Sequence, residues 1–397
     1  MQIKEIYDKM DYGAAPESSL EAHNWLEKHN YNFGNFINGK WKSCKDHFDT
    51  INPSNNKVLA RIGQSSQADI DSAVKAARTA QKKWSAESDH KRARILYAIA
   101  RLLQKNSRLF AVLETLDNGK PIRESRDIDI PLAQRHFYYH AGMAQLMKAE
   151  LPNRAPIGVC GQIIPWNFPL LMLSWKIAPA IAMGNAVVLK PAEYTSLTAL
   201  LFAEVCVSAG VPKGLINIVT GDGKVGEMIV SHKDINKIAF TGSTEVGKLI
   251  REKTAGSGKS LTLELGGKSP FVVFDDADLD SAIEGVVDAI WFNQGQVCCA
   301  GSRLLVQEGV SERLYNKIKR RMKTLRLGDP MDKSIDLGAI VDSKQLDRIS
   351  ELVAENSTGN LFQVIENMPK TGCFYPPTFI TGLSSSDSLM QEEIFGP

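Results

Sequence analysis

Apolar and polar positions alternate in two different periods along the chain, and the change of period divides it. Residues 32–62 carry short, strand-like runs, NFINGKW and NKVLARI, broken by the turn-forming stretch INPSNN. From Ser66 onward the period lengthens. The stretches QADIDSAVKAARTAQKKW, RARILYAIARLLQ and RLFAVLETLDNG place apolar residues every three or four positions, which predicts amphipathic helices. Ser66 with Asp69 three residues on suits a capping box at the first, and Gly119 should stop the last.

From residue 157 the pattern becomes strand, helix, strand. Apolar runs IGVCGQIIP, AVVLK, INIVTG, INKIAF, LTLEL and PFVVF are separated by helical segments of ordinary length. That alternation predicts an α/β fold with a doubly wound, parallel sheet. In such sheets ligands gather at the carboxyl ends of strands, where this chain carries PWNFP, KPAE, TGSTEVG and ELGGK. Residues 155–175 are uncharged for long enough to suggest a membrane span, but three prolines, a Gln and an Asn interrupt them, so a buried segment is expected.

Composition narrows the function. The 397 residues carry 47 basic and 45 acidic side chains, a net charge of +2, mixed along the chain; this offers no footprint for nucleic acid or an anionic membrane. The first residues, MQIKEIYDKMDYGAAPESS, lack the apolar core of a secretory signal. Six cysteines without CxxC spacing, in a chain large enough to fold without disulfides, point to a reducing, cytoplasmic setting. His136 and His140 have the i, i+4 spacing of a metal pair, yet no third ligand motif accompanies them, and two helix positions are the expected reading, with no metal.

Two stretches imitate phosphate loops. FTGSTEVGKL (240–249) follows a strand and opens a helix, and Gly242, Gly247 and Lys248 fit the G-x4-G-K spacing, but Leu249 replaces the hydroxyl that would hold magnesium. An anion site and a plain turn both remain open there. GSGKS (256–260) has Lys253 where the first glycine belongs and follows a helix, so it is a helix-ending turn.

NQGQVCCAGSR (293–303) sets two cysteines side by side between a helix and a strand, a position that by itself suits packing as well as chemistry. Taken together, PWNFP, KPAE, FTGSTEVG, LELGGK, FNQGQVCCAGSR and EEIFGP resemble the aldehyde dehydrogenase superfamily in motif and in order, over nearly the whole chain. MDYGAAPES and HAGMAQLMKAELPNRAPIGVCGQ look most similar to its family-16 branch. The resemblance implies a Rossmann-type NAD-binding domain over 1–266 and an α/β catalytic domain over 267–397, truncated at the C-terminus because the chain stops inside a motif.

The same resemblance implies the site. Cys298 would be the nucleophile, Glu264 the general base and Asn167 the side-chain donor to the oxyanion, with Cys299 a neighbour without a role. Lys190 and Glu193 would hold the adenosine ribose; Gly242, Ser243 and Gly247 would face the pyrophosphate; Glu393 and Phe395 would hold the nicotinamide ribose and ring, with Trp166 and Gly266 also against the cofactor. A carboxylate on the ribose favours NAD, with NADP still open. Each position has an ordinary alternative: Glu264 as a strand-end acid, Asn167 as a turn former before Pro169, Glu193 as a helix N-terminal charge.

The implied reaction is oxidation of a small aldehyde to its acid through a thiohemiacetal and thioester on Cys298. The segment used for subunit association in the family is short here, about 144–156, so a homodimer is implied with altered assembly. A catalytically silent scaffold that keeps the fold, and a cofactor-free thioester hydrolase using Cys298 and Glu264, are the alternatives.

Overall fold

The computed structural model describes residues 14–355, 359–366 and 368–397. Residues 1–13, which hold most of the stretch read against a secretory leader and part of the family-16 resemblance, lie outside the described residues.

Helix α1 (Leu20–Lys28) buries Trp25 and Leu26. It leads into β1 (Asn32–Phe33), β2 (Asn35–Ile37), β3 (Lys40–Lys42), β4 (Asp46–Asn52) and β5 (Lys57–Gln64). The β2–β3 hairpin turns at Asn38 and Gly39, both at positive φ (54° and 72°), as an Asn-Gly turn requires. The INPSNN turn sits between the antiparallel β4 and β5, with Asn56 at φ 60°.

Helix α2 (Gln67–Ser85) begins with the expected capping box: Ser66 N donates to Asp69 Oδ2 (2.9 Å) and Asp69 N to Ser66 Oγ (3.4 Å). Helices α3 (Asp89–Lys105) and α4 (Ser107–Asn118) follow, and Gly119 ends α4 at φ 92°. A Cβ at Gly119 would lie 2.7 Å from the Ala339 carbonyl oxygen, so glycine answers both a backbone and a space demand. A short helical turn (Ile122–Glu124) and a π-helical turn (Ser125–Asp129) lead directly into α5 (Ile130–Glu150). The first half of the expected association segment is thus the end of this helix.

The uncharged stretch 155–175 becomes β6 (Val159–Ile163) and the start of α6 (Pro169–Ala182), both packed in the core. Among the described residues no helix is long and apolar enough to cross a membrane. Alternation continues through β7 (Ala186–Lys190), α7 (Leu197–Ser208), β8 (Ile216–Ile218), α8 (Gly223–Ser231), β9 (Lys237–Gly242), α9 (Thr244–Thr254) and β10 (Ser260–Leu265). The sheet runs β10-β9-β6-β7-β8-β2-β3, parallel from β10 to β8, with the β2–β3 hairpin added antiparallel at one edge. Strand β6 has β7 on one side and β9 on the other, so the winding reverses there. The loop after β6, which holds Trp166 and Asn167, therefore opens into the crevice where ligands collect.

One expectation needs correction. PFVVF is a strand, β11 (Pro270–Val273), but it leaves the large sheet and pairs in parallel with β12 (Arg303–Val306), crossing over through α10 (Leu279–Ile290). A hydrophobic period reports what an element is, not which sheet it joins. Beyond β12, α11 (Glu308–Met322) packs on α10 over a second core of Val273, Ile283, Val286, Leu314 and Ile318. Helix α12 (Ser343–Ala354), the antiparallel pair β13 (Asn360–Gln363) and β14 (Thr378–Thr381), and α13 (Ser388–Gln391) complete the described chain.

Candidate active site

The cysteine loop is built by amide side chains. After α10, Asn293, Gln294 and Gly295 lie consecutively at positive φ (48°, 54°, 72°), a conformation that costs a non-glycine residue about 1 kcal/mol or more. Hydrogen bonds hold it in place. Gln294 Nε2 donates to Ala339 O (3.0 Å) while its Oε1 accepts from Gly338 N (3.1 Å), and Gln296 Oε1 accepts from Val341 N (3.0 Å). Gly295 has no room for a side chain, since a Cβ would lie 2.0 Å from Gly396 O. The loop then turns at 297–300, with Ala300 N donating to Val297 O (3.0 Å), and presents Cys298 and Cys299 on the exposed side.

Both cysteines line a groove of about 940 Å³ with Glu264, Lys176, Phe168, Trp175 and Phe292. Glu264 lies one residue from the end of β10, exposed to that groove. Lys176, from α6, is pushed down to about 8 by burial, with the Glu264 charge opposing the shift. Although Cys298 is open at the groove wall, partial desolvation and the Cys299 thiol push its own thiol up, while its backbone N–H, turned toward the sulfur, acts in the other direction. At rest, therefore, Cys298 is a thiol that needs a base.

Asn167 stands behind the groove wall, 4% exposed. Its Nδ2 donates to Gln296 O (2.8 Å), two residues before Cys298, which leaves one amide hydrogen. Asn167 O accepts from Lys120 Nζ (2.8 Å) and Asn293 Nδ2 (2.9 Å). Trp166 O accepts from Asn118 Nδ2 (2.8 Å) and Thr195 Oγ1 (3.3 Å). The PWNFP loop and the cysteine loop are thereby one hydrogen-bonded unit.

The expected cofactor residues occupy neighbouring strand ends. Lys190, at the end of β7 and 3% exposed, donates to Pro191 O (3.0 Å) and Glu193 Oε2 (3.4 Å). Gly242 closes β9, and Ser243 caps α9, its Oγ accepting from Val246 N (3.3 Å). The loop is thus a strand leading to a helix N-terminus, whose free N–H groups suit a phosphate. A Cβ at Gly247 would lie 2.6 Å from Leu265 Cδ2, so this glycine lets α9 pack on β10. Leu249 is exposed, and Gly256 and Gly258 are open turn positions at φ 71° and 72°.

Glu393 accepts from Gly267 N (3.2 Å), and burial pushes its carboxyl up from its ordinary value. A Cβ at Gly266 would lie 1.8 Å from Glu393 Oε2, so glycine is what admits this carboxylate. Phe395, at φ 58°, meets Trp166 edge to face at 5.2 Å. A lysine–carboxylate pair, a helix N-terminus, and a carboxylate on a glycine turn beside an aromatic edge are the kinds of group a dinucleotide contacts, and these residues fit one. Away from these loops, His136 and His140 stack at 6.2 Å, and His140 Nδ1 lies 2.8 Å from His136 O. Among the described residues no group of three or more His, Cys, Asp and Glu side chains is placed to hold a metal.

Sequence reasoning missed Lys120, Lys176, Asn293 and Gln296. The amides at 293, 294 and 296 within four residues were a visible signal of a side-chain-braced loop. For Lys120 the sequence signal was only a lone cation after a helix-ending glycine.

Comparison with known proteins follows the same lines. A family profile described as "Aldehyde dehydrogenase family" matches residues 41–397. The chain is similar to an aldehyde dehydrogenase of Alternaria alternata, 43% identical over 381 residues, covering 92% of this chain and 77% of that protein. It is also similar to aldehyde dehydrogenase family 2 member B4, mitochondrial, of Arabidopsis thaliana, 42% identical over 380 residues, covering 92% and 70%. Among solved structures, the NAD+ complex of an aldehyde dehydrogenase from Bacillus cereus superimposes with a TM-score of 0.91 at 37% identity, covering 96% of this chain and 81% of that one.

Proposed function

The chain belongs to the aldehyde dehydrogenase family, and from that premise we propose that Cys298 is its nucleophile, Glu264 its general base and Asn167 its oxyanion donor. Its activity is oxidation of an aldehyde to the carboxylic acid with NAD as hydride acceptor. The observation that carries the residue assignment is that Cys298 and Glu264 line one groove, with Asn167 bonded to the cysteine loop behind it.

Each residue has a definite task. Glu264 takes up the proton that Cys298 must lose, because the thiol is raised and scarcely ionised at neutral pH. The sulfur bonds to the carbonyl carbon, whose π electrons move to oxygen. The remaining Asn167 N–H and the Cys298 N–H steady that charge, each donor being worth about 10²–10³ in rate. The chemistry NAD supplies when bound is hydride acceptance, which leaves a thioester on Cys298. Glu264 releases its first proton to solvent and then draws one from a water that attacks the thioester; the acid leaves, and the sulfur takes that proton back from Glu264; such base assistance is worth about 10²–10⁴.

Lys190 and Glu193 would hold the adenosine ribose, and the Glu193 carboxylate repels a 2′-phosphate, favouring NAD over NADP. Gly242 and Ser243 would face the pyrophosphate; the resemblance sets Gly247 there too, but it is buried, its N–H donates to Ser243 O (3.0 Å), and its task is to let α9 pack on β10. Trp166, Gly266, Glu393 and Phe395 would hold the nicotinamide end. We divide the chain into an NAD-binding domain over 1–266 and a catalytic domain over 267–397, a division supported by the change of sheet between β10 and β11. A reducing compartment such as the cytoplasm suits six free thiols. The assembly implied by the resemblance is a homodimer, which the mass in solution tests.

The test is formation of reduced nicotinamide from NAD and an aldehyde panel. Cys298→Ala abolishes it; turnover retained in that variant would refute the assignment.

A further inference from the structure

Beneath the Asn167 turn lies a charge cluster that the proposed chemistry does not use. Lys120, Glu114 and Asp129 are each 0% exposed. Lys120 Nζ lies 2.5 Å from Asp129 Oδ2, 2.8 Å from Asn167 O and 3.6 Å from Glu114 Oε1, and sits 4.4 Å over the Phe168 ring. Glu114 Oε2 accepts from Leu170 N (3.2 Å) at the start of α6. Burial pushes the Glu114 carboxyl up to about 8 and the Asp129 carboxyl up from its ordinary value, while the Lys120 charge draws both down. Burial alone would strip Lys120 of its proton, but Asp129 and Glu114 hold it on, and the net shift is upward. By distance the ion pair is Lys120 with Asp129, at 2.5 Å against 3.6 Å for Glu114.

Stability does not account for a pair in this place. Removing two charges from water costs about as much as their attraction returns, and buried ion pairs are often replaceable by apolar residues without loss. The feature an apolar residue could not supply is the third contact, a charge-assisted hydrogen bond to the Asn167 carbonyl. That carbonyl also accepts from Asn293 of the cysteine loop, and Glu124, six residues before Ile130 in the same turn region, accepts from Asn293 N (2.9 Å). Gly119, next to Lys120, accepts from Ala339 N (2.8 Å) in the same 338–341 segment that braces Gln294 and Gln296. Lys120 thus joins the Asn167 turn to the frame that carries the nucleophile.

We propose that Lys120 is a positioning residue for aldehyde oxidation, its buried ammonium fixing the Asn167 peptide so that the Asn167 side-chain amide is held against the Cys298 loop. This rests on the assignment of Asn167 and Cys298 made above. Lys120 touches neither substrate nor sulfur; it acts through Asn167.

The experiment is a double-mutant cycle of Lys120→Met and Asn167→Ala on the full chain, read as kcat and KM for aldehyde and as NAD binding by quenching of tryptophan fluorescence. Lys120→Met lowers kcat by about 10- to 100-fold, part of what a lost oxyanion donor costs, with NAD affinity within about twofold of the parent. Added to Asn167→Ala it lowers kcat by less than about threefold, because the group it positions is already gone. Should Lys120→Met not fold, Lys120→Met with Asp129→Asn removes both charges and takes its place.

A parental kcat in the Lys120 variant, or a loss that multiplies in full on the Asn167→Ala background, overturns the positioning role. If Asn167→Ala and Cys298→Ala themselves turn over like the parent, the site assignment fails and this proposal falls with it. If those two are impaired and Lys120→Met is not, only this proposal fails.

Discussion

Replacing Asn167 by alanine separates a catalytic loss from a structural one. The side chain is 4% exposed and its Nδ2 makes one hydrogen bond, to Gln296 O at 2.8 Å. That carbonyl keeps a second donor, Asn293 Nδ2 at 3.3 Å, so its partner is weakened but not lost. The stability cost is then that of a single net hydrogen bond, about 1 kcal/mol. For a chain of 397 residues this lowers the melting temperature by about 1–2 °C. The kinetic cost is much larger. Losing a preorganised donor to the developing oxyanion takes about 2.7–4 kcal/mol from the transition state, a 10²–10³-fold fall in kcat. Steady-state rates of NAD reduction, paired with thermal melts of the same preparation, measure both. A variant that melts within a few degrees of the parent and retains more than a tenth of its kcat would refute Asn167 as the donor.

Other perturbations probe separate parts of the site. Alkylation of Cys298 by iodoacetamide, followed against pH, should have its midpoint above the ordinary thiol value of about 8.5, because the thiol is raised and thiolate appears only as pH climbs; a midpoint below that value contradicts the resting state described. Asp117, 1% exposed and bonded to Thr50 Oγ1 and Leu197 N, is pushed up to about 7 by burial, above its unfolded value of 3.8. Its contribution is fully present below about pH 4 and is lost as pH rises through 7, at up to about 1.4 kcal/mol per pH unit. Asp117→Asn should flatten that slope in denaturant titrations between pH 4 and 7, and an unchanged slope would count against the raised carboxyl. Gly295→Ala forces a Cβ to within 2.0 Å of Gly396 O at φ 72° and should destabilise the chain by about 2 kcal/mol or more, with kcat falling as the cysteine loop shifts; a parental melt would contradict the packing.

Much of this site was legible before the fold, and the limits are physical. Ser66 with Asp69, Gly119 and the strand runs from IGVCGQIIP to LTLEL declare themselves because capping, left-handed termination and apolar period act over a few residues. PFVVF was legible as a strand and not as a member of a different sheet, because partner choice is settled by the Gly266–Gly267 turn and by a second core formed with α10 and α11. The β2–β3 hairpin was likewise legible as strands, while its place beside β8 depends on contacts nearly two hundred residues away in sequence. Cys298, Glu264 and Asn167 came from a resemblance of motifs. Lys120, Glu114 and Asp129 could not: no local pattern distinguishes a cation that will be wholly buried among acids from one on a helix surface.

The central claim is that the substrate's carbonyl carbon bonds to Cys298 and, once its hydride is lost, is held there as a thioester that Glu264 helps hydrolyse. At alkaline pH, where Cys298 ionises without a base, Glu264→Gln should slow that hydrolysis by about 10²–10⁴ and let the intermediate accumulate. Peptide mass spectrometry of this variant, quenched in acid after mixing with aldehyde and NAD, measures where the acyl group resides. An acyl adduct on Cys298, in amount equal to the first burst of reduced nicotinamide, is the predicted result. An adduct on Cys299, or a burst with no acylated cysteine, would contradict it.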